Sequence, residues 1–275
     1  MKYLAAVAQL CSQADKAQNY ARMEQMIAQA AEKGAKIIVF PEFANSGEGH
    51  PMQQRELIPE GEACIRMAAA AKKYGIYVHF GSIYEQIPGE EEQVYNTAVL
   101  FSPEGQIIGK YSKTHLADFF VPPDRFIRES KRTRRGEQVV NVETPLGTLG
   151  LANCYDLRFP ELFRTMALDG AQVFCVCGNF YLSTGSAIFE VMTRARAIEN
   201  GCYVLAPNQC AQRNGVAYFG NSMIVDPMGR VLARAGQEQE EVLYAEIDTE
   251  AVEAARSSAG GLSNRRPDLY DINRK

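Results

Sequence analysis

The chain contains no tryptophan and only three histidines, His50, His79 and His115, and its cysteines include no Cys-x-x-Cys pair. These scarcities argue against a zinc site, whose ligands come from Cys and His clustered at short spacing. The thiols, Cys11, Cys64, Cys154, Cys175, Cys177, Cys202 and Cys210, are odd in number, which argues against a secreted disulfide framework. Positive charge is not in excess: the net charge is −4, so no general basic field suggests nucleic acid or an anionic membrane as partner. The N-terminal MKYLAAVAQLCSQADK stays apolar for only about eight residues, too few for a signal-peptide core or a membrane span. Low-complexity stretches and Ser/Gly/Pro linkers are also missing. Together these absences imply a cytoplasmic protein in a reducing compartment, built as one domain over residues 1–275.

What is present suits a sizeable core: 46% hydrophobic and 23% charged residues. Tyr3 to Gln9 reads as a strand. Ala14 to Lys33 reads as a helix, with Tyr20, Met23, Met26, Ile27 and Ala30 at helical spacing before Gly34. The run Lys36 to Phe40 (KIIVF) is a strand buried on both faces, and a helix from Gly61 to Tyr74 and a strand from Ile76 to Gly81 follow. This β-α-β-α-β order predicts an α/β fold. Beyond it, a strand, a Pro-x-Gly turn and a second strand recur at Ser102-Pro103-Glu104-Gly105, Thr144-Pro145-Leu146-Gly147 and Asp226-Pro227-Met228-Gly229. Proline presets the turn and glycine accepts positive φ, so antiparallel hairpins are mixed into the sheets. Helices over Pro160 to Asp169 and Ser186 to Asn200, strands over Gln172 to Cys177 and Cys202 to Ala206, and a short helix near Thr249 to Arg256 complete the pattern. Two mixed sheets packed face to face with helices outside are expected, with one doubly wound sheet as the alternative.

Three reactive residues follow strand ends. Glu42 comes after KIIVF-Pro41, Lys113 after QIIGKYS, and Cys154 after TLGLAN. In α/β sheets ligands bind beyond the carboxyl ends of strands, so a carboxylate, an ammonium and a thiol at three exits can converge on one pocket. Taken alone, each has an ordinary reading as a solvated charge or a small core residue.

The segments Pro41-Glu42, Tyr111-Ser112-Lys113-Thr114-His115-Leu116 and Asn153-Cys154-Tyr155-Asp156-Leu157-Arg158-Phe159-Pro160-Glu161 together resemble the nitrilase superfamily of carbon–nitrogen hydrolases. The likeness continues through Arg194 to Asn200, Gly220 to Pro227 and Asn264 to Asp268, over nearly the whole chain. It implies a four-layer α-β-β-α sandwich, a homodimer or higher homo-oligomer with a two-fold interface through the Arg194 to Asn200 helix, and a C-terminal tail, about 257–275, laid over the partner. That helix is expected to pack through Ala195 and Ile198. The resemblance makes Cys154 the nucleophile, aided by the positive potential and free N–H groups of the helix after it. Glu42 becomes the general base and acid, and Lys113 holds the oxyanion with the backbone N–H of Tyr155. Glu129, in the Glu129-Ser130 pair, orients Lys113 and the substrate amide. His115 braces the lysine loop. No metal or cofactor enters this scheme.

For the substrate, the omega-amidase and deaminated glutathione amidase branch is the nearest in pattern. There an arginine and a threonine at the positions of Arg158 and Thr184 bind a carboxylate, a task that suits a planar guanidinium. The alternative for Arg158 is an ion pair with Asp156 or Glu161. Tyr155, Asn179 and Phe180 are further pocket candidates. The wall departs from the branch where Cys177-Gly178-Asn179-Phe180 and Ala187-Ile188-Phe189 replace its usual Pro-x-Ala-Phe and Ala-His-Trp. Cys175 and Cys177 face one side of a strand and read as core or pocket wall, not a redox pair. The basic run Arg125, Arg128, Lys131, Arg132, Arg134 and Arg135 reads as a solvated loop or as an attractor of anionic substrate. A small carboxylated amide is the leading substrate. An N-carbamoyl amine is the rival within the same chemistry, and a catalytically silent binding subunit is the rival outside it.

Overall fold

A computed structural model describes residues 1–47, 50–121, 125–213 and 215–269. The chain begins with β1 (Lys2–Gln9), α1 (Lys16–Glu32), β2 (Ala35–Val39), the single turn α2 (Pro51–Gln54) and α3 (Glu62–Tyr74). It continues with β3 (Tyr77–Gln86), β4 (Val94–Phe101) and β5 (Ile107–Ser112). Asp15 starts α1 by accepting the Ala17 and Gln18 N–H groups, and left-handed Gly75 stops α3. Strands β1, β2 and β3 pair in parallel, while β4 and β5 add antiparallel at one edge. β3 runs five residues beyond Gly81 because its extension pairs with β4, a contact with no local signature.

A hairpin of β6 (Asp118–Val121) and β7 (Arg125–Arg128) follows. Then come β8 (Asn141–Thr144), β9 (Gly147–Asn153), α4 (Pro160–Leu168), β10 (Val173–Cys177), α5 (Leu182–Asn200) and β11 (Tyr203–Ala206). The chain closes with β12 (Gln212–Arg213), β13 (Val216–Ala217), β14 (Met223–Val225), β15 (Val231–Arg234), β16 (Glu241–Asp248) and α6 (Thr249–Ala259). The three Pro-x-Gly turns join β4 to β5, β8 to β9 and β14 to β15, as the sequence predicts.

One sheet has the order β16-β1-β2-β3-β4-β5 and the other β15-β14-β11-β10-β9-β8. Alternation along the strands makes the layers. Ala5, Val7, Ile37 and Val39 face the second sheet in one core, while Ala6, Ala8, Ile38 and Phe40 face α1 and α3 in another. Phe163 and Met166 of α4 and Phe189 of α5 cover the far face of the second sheet. The result is the α-β-β-α sandwich of two mixed sheets, and the single doubly wound sheet is excluded.

Several expectations change in detail. α5 starts at Leu182, four residues before Ser186, and α6 runs to Ala259. The inner face of α5 carries Thr193, Arg196, Ala197 and Asn200, whereas Ile198 is 52% exposed. The basic run is not all loop, since its first part is strand β7. In the tail, residues 257–259 belong to α6, and the part from 270 to 275 lies outside the described residues. No described helix is long and apolar enough to cross a membrane.

Candidate active site

The exits of β2, β5 and β9 open into one pocket of about 590 Å³, and Glu42, Lys113 and Cys154 all line it. Glu42 sits in the segment that leaves β2. Its N–H donates to Gly178 O (3.2 Å), and Gln209 Nε2 donates to its carbonyl (3.0 Å), so the second sheet's loops clamp the first sheet's exit. Gly81 of β3 is glycine for a steric reason: it has φ +79°, and a Cβ there would lie 1.9 Å from Pro41 O. Phe43 (φ 55°) and Cys154 (φ 49°) hold left-handed backbone without being glycine. Such strain survives where surrounding contacts over-determine it, here directly beside one reactive residue and at another.

Cys154 is followed by a five-residue 3-10 turn, Cys154–Arg158, and α4 begins only at Pro160. The expected dipole of a long helix is therefore absent from the turn that carries Cys154. Asp156 anchors that turn, and is itself fully buried. It accepts from Asn153 N (2.8 Å), Tyr111 Oη (2.7 Å) and His115 N (3.1 Å). His115 Nδ1 also lies 2.8 Å from Asp156, and its ring stacks on Phe159, so it ties the lysine loop to the cysteine turn. From the opposite side Arg196 of α5 donates twice to Leu157 O (2.8 and 3.1 Å).

Lys113 and Glu42 are each 2% exposed. Lys113 Nζ donates to Glu42 Oε1 (3.0 Å) and to Glu129 Oε2 (2.9 Å). Glu129 also accepts from Ala117 N (2.7 Å) and Asn96 Nδ2 (3.1 Å), and Asn96 Nδ2 reaches Glu42 Oε1 at 2.8 Å. Burial raises Glu42 above the usual carboxylate range, and Lys113 offsets only part of that effect. Burial disfavours the Lys113 ammonium, yet Glu129 and Glu42 together hold its pKa well above the lysine value. Cys154 lies within hydrogen-bonding reach of Glu42, and burial followed by the Glu42 charge pushes its thiol pKa well up. These shifts favour a neutral thiol on Cys154 and a protonated amine on Lys113, with Glu42 between them.

The other thiols sit elsewhere. Cys175 and Cys177 are fully buried core residues outside the pocket lining, with Cys175 pushed up to about 12 by burial. Cys11 is lowered to about 7 by its hydrogen bond to Cys210, with help from Arg213, but it too lies outside the lining.

Tyr155, Arg158, Asn179, Phe180 and Thr184 all line the pocket. Arg158 makes no ion pair with Asp156 or Glu161 among the described residues, because Asp156 is already saturated by the donors named above. Its guanidinium instead lies 5.5 Å from the Tyr155 ring centre and 5.6 Å from that of Phe119, with Nε buried and unpaired. From the basic run, Arg128 and Arg132 reach the lining, while Arg134 turns outward to Glu90 (2.6 Å). Sequence reasoning missed Asn96, Asp156 and Tyr84. Asn96 sits inside a strand with no local motif, Asp156 was noted only as a neighbour, and Tyr84 lines the pocket from β3 through a stack on Phe43 (4.2 Å). A polar residue at an inward position of an otherwise apolar strand is the signal that could have found Asn96.

Comparison with known proteins agrees with this geometry. The carbon-nitrogen hydrolase model matches residues 4–257. An omega-amidase NIT2 from Danio rerio is 37% identical over 99% of this chain and 98% of its own length. A deaminated glutathione amidase from Mus musculus is 36% identical over 97% of this chain and 84% of its own. Among solved structures, the amidase from Nesterenkonia sp. AN1, in a mutant with the acetamide moiety of fluoroacetamide added covalently at its active-site cysteine, superposes with a TM-score of 0.79 at 26% identity. That match covers 97% of this chain and 95% of the other. A strand-exit carboxylate, ammonium and thiol in one pocket, with this extent of likeness, place the chain in the carbon-nitrogen hydrolase family of the nitrilase superfamily, as an amidase-type enzyme.

Proposed function

We propose that this enzyme hydrolyses the terminal amide of a small carboxylated substrate through a thioester on Cys154. Glu42 takes the thiol proton as sulfur attacks the amide carbon. A neutral thiol hydrogen-bonded to a carboxylate of raised pKa suits concerted attack and transfer. Lys113 has three N–H donors. Glu42 and Glu129 engage two, leaving one for the oxyanion beside the Tyr155 N–H. Glu42 then delivers its proton to the amide nitrogen, the C–N bond breaks and ammonia leaves. Water, deprotonated by Glu42, attacks the thioester. The carboxylic product departs and Glu42 returns the proton to the thiolate. Glu129, already accepting from Lys113, Asn96 and Ala117, serves as an orienting acceptor.

The carrying observation for the substrate class is Arg158: a pocket-facing guanidinium braced by two aromatic rings, with no carboxylate partner in the described protein. It supports a substrate carboxylate as partner, with Thr184 alongside; release of carbon dioxide together with ammonia would instead mark an N-carbamoyl amino acid as the substrate. Arg128 and Arg132 at the rim add attraction for an anion. Intact-protein mass after mixing with carboxylated amides tests the mechanism: an acyl adduct absent in Cys154→Ala supports it, and no adduct or ammonia from any amide defeats it. Arg158→Ala should raise KM for carboxylated amides and spare neutral ones; equal losses on both would make Arg158 structural.

A homodimer through α5 is part of this proposal. Val191 (68% exposed) and Ile198 (52%) lie seven residues apart on one helix face, and the exposed Met228 sits on the turn packed beside Ile198. The C-terminal tail is proposed to lie over the same partner. A reactive thiol of this kind also suits the reducing cytoplasm.

A further inference from the structure

Asn96 lies on β4 in one sheet and Asn153 ends β9 in the other, and both are fully buried. Neither lines the pocket. Asn153 Nδ2 donates to Asn96 Oδ1 (2.8 Å), a side-chain bond that joins the two sheets. Asn96 Nδ2 donates in turn to Glu42 Oε1 (2.8 Å) and Glu129 Oε1 (3.1 Å). The Asn96 backbone carbonyl accepts the Lys113 N–H (2.8 Å), so one residue reaches both members of the Glu42–Lys113 pair. Burying two amides between largely apolar layers is costly. The bonds that offset the cost lead to the reactive carboxyl groups.

The direction of these bonds is fixed by chemistry. A carboxylate can only accept, so Asn96 must turn its nitrogen to Glu42 and Glu129. Its oxygen then faces the other sheet and needs a donor, which Asn153 Nδ2 supplies. With Asn96 reversed, its oxygen would oppose two carboxyl groups and its nitrogen would oppose another donor. On Glu42, Lys113 Nζ and Asn96 Nδ2 both fall on Oε1 (3.0 and 2.8 Å). No nitrogen donor reaches Oε2 among the described residues. Oε2 is thus the oxygen left for the Cys154 thiol, which lies within hydrogen-bonding reach of this carboxyl. The ionisable groups that act on Glu42 are Lys113, Glu129, Cys154, Tyr84 of β3 and Cys177 of β10.

We propose that Asn153 and Asn96 form a two-amide relay that positions the general base: Asn153 fixes which end of Asn96 faces Glu42, and Asn96 pins Glu42 Oε1 so that Oε2 receives the thiol proton. The S–H bond breaks as the O–H bond forms on Oε2, and the electron pair left on sulfur makes the bond to the amide carbon. Donation from Asn96 favours the ionised form of Glu42 against its burial. Neither asparagine touches the substrate, and both are positioning residues. The proposal rests on Glu42 acting as base to Cys154, as in the reading above.

Alkylation of Cys154 by iodoacetamide, followed from about pH 4 to about pH 10 by the mass of the peptide that carries it, tests the relay without a substrate. The wild-type rate should rise along a limb set by Glu42, and Glu42→Gln should abolish that limb. Asn96→Ala should move the limb up by about one pH unit, because a hydrogen bond to a charged group is lost. Asn96→Asp keeps the shape and the bond from Asn153 but sets a carboxylate against Glu42, so it should move the limb further. Asn153→Leu should also raise the limb, and should leave it unchanged when Asn96 is already Ala. A merely structural role would slow alkylation at every pH without moving the limb. Asn96→Asp decides the matter if the apolar variants do not fold. A limb lost in Glu42→Gln yet unmoved by Asn96→Asp overturns the relay alone. A shift from Asn153→Leu that is absent, or equal in both backgrounds, overturns the part played by Asn153. A limb that survives Glu42→Gln overturns Glu42 as the base, and the relay with it.

Discussion

At the scale of the residue, the charges of Glu42, Lys113 and Glu129 compensate one another, with Glu42 and Lys113 almost fully buried. Removing the cation leaves Glu42 and Glu129 facing each other without it. Lys113→Ala should therefore lower kcat by about 10²- to 10³-fold through the lost oxyanion donor. It should also cost about 3–5 kcal/mol of stability in urea titrations, the penalty of an uncompensated buried charge. That stability loss should shrink toward pH 5, where the orphaned carboxylates take up a proton. A loss that stayed constant from pH 8 to pH 5 would show that their charge is not the cause. The raised pKa of Glu42 has its own consequence. As the proposed base, Glu42 works ionised, so kcat/KM should rise with pH along a limb set above the ordinary carboxylate range. A limb at the usual glutamate value would count against Glu42 as the base.

At the scale of the element, the reactive residues are held by short connections and not by long helices. The 3-10 turn Cys154–Arg158 is braced by Asp156 within and by Arg196 from α5. Asp156→Ala strips the acceptor from Tyr111, Asn153 and His115 at once. We expect a stability loss of about 3 kcal/mol and a fall in kcat larger than any change in KM. A variant with wild-type kcat would show that the turn holds Cys154 without this anchor. The three Pro-x-Gly hairpins, KIIVF and the α1 stripe were legible because turn chemistry and periodicity are local signals. The β6–β7 hairpin, the extension of β3 and the start of α5 were not. Each is decided by a strand or loop distant in sequence, as where β3 beyond Gly81 finds β4. The helical period of the α5 inner face was likewise misread at Ile198, since a polar-looking helix buries Thr193, Arg196 and Asn200 against the second sheet.

At the scale of the whole molecule, β16 returns from the second half to pair with β1, so one sheet closes with strands from both ends of the described chain. Stability should respond to acid through His79, which is fully buried on β3 and accepts the Gly81 N–H. Burial pushes its pKa down from 6.5 to about 4. With a depressed folded-state value, the stability is complete above about pH 6.5 and is lost as pH falls toward 4, by about 3 kcal/mol in all. His79→Gln should flatten the slope of unfolding free energy in that window. An unaltered slope would place the acid sensitivity elsewhere. For the proposed dimer, Ile198→Asp should give monomers by light scattering at concentrations where the unaltered chain is dimeric; a variant that stays dimeric removes α5 from the interface.

The order of Glu42, Lys113 and Cys154 along the chain and the α/β character were written in the sequence. Strand ends, turn residues and motif order are short-range, and the superfamily likeness needed nothing more. Only the tertiary structure decided that Arg158 has no carboxylate partner among the described residues, and that Asn96 and Glu129 both meet the Glu42–Lys113 pair. Those facts depend on which side chains meet after strands far apart in sequence have paired. Directional hydrogen bonds among buried groups leave no periodic trace in the order of residues.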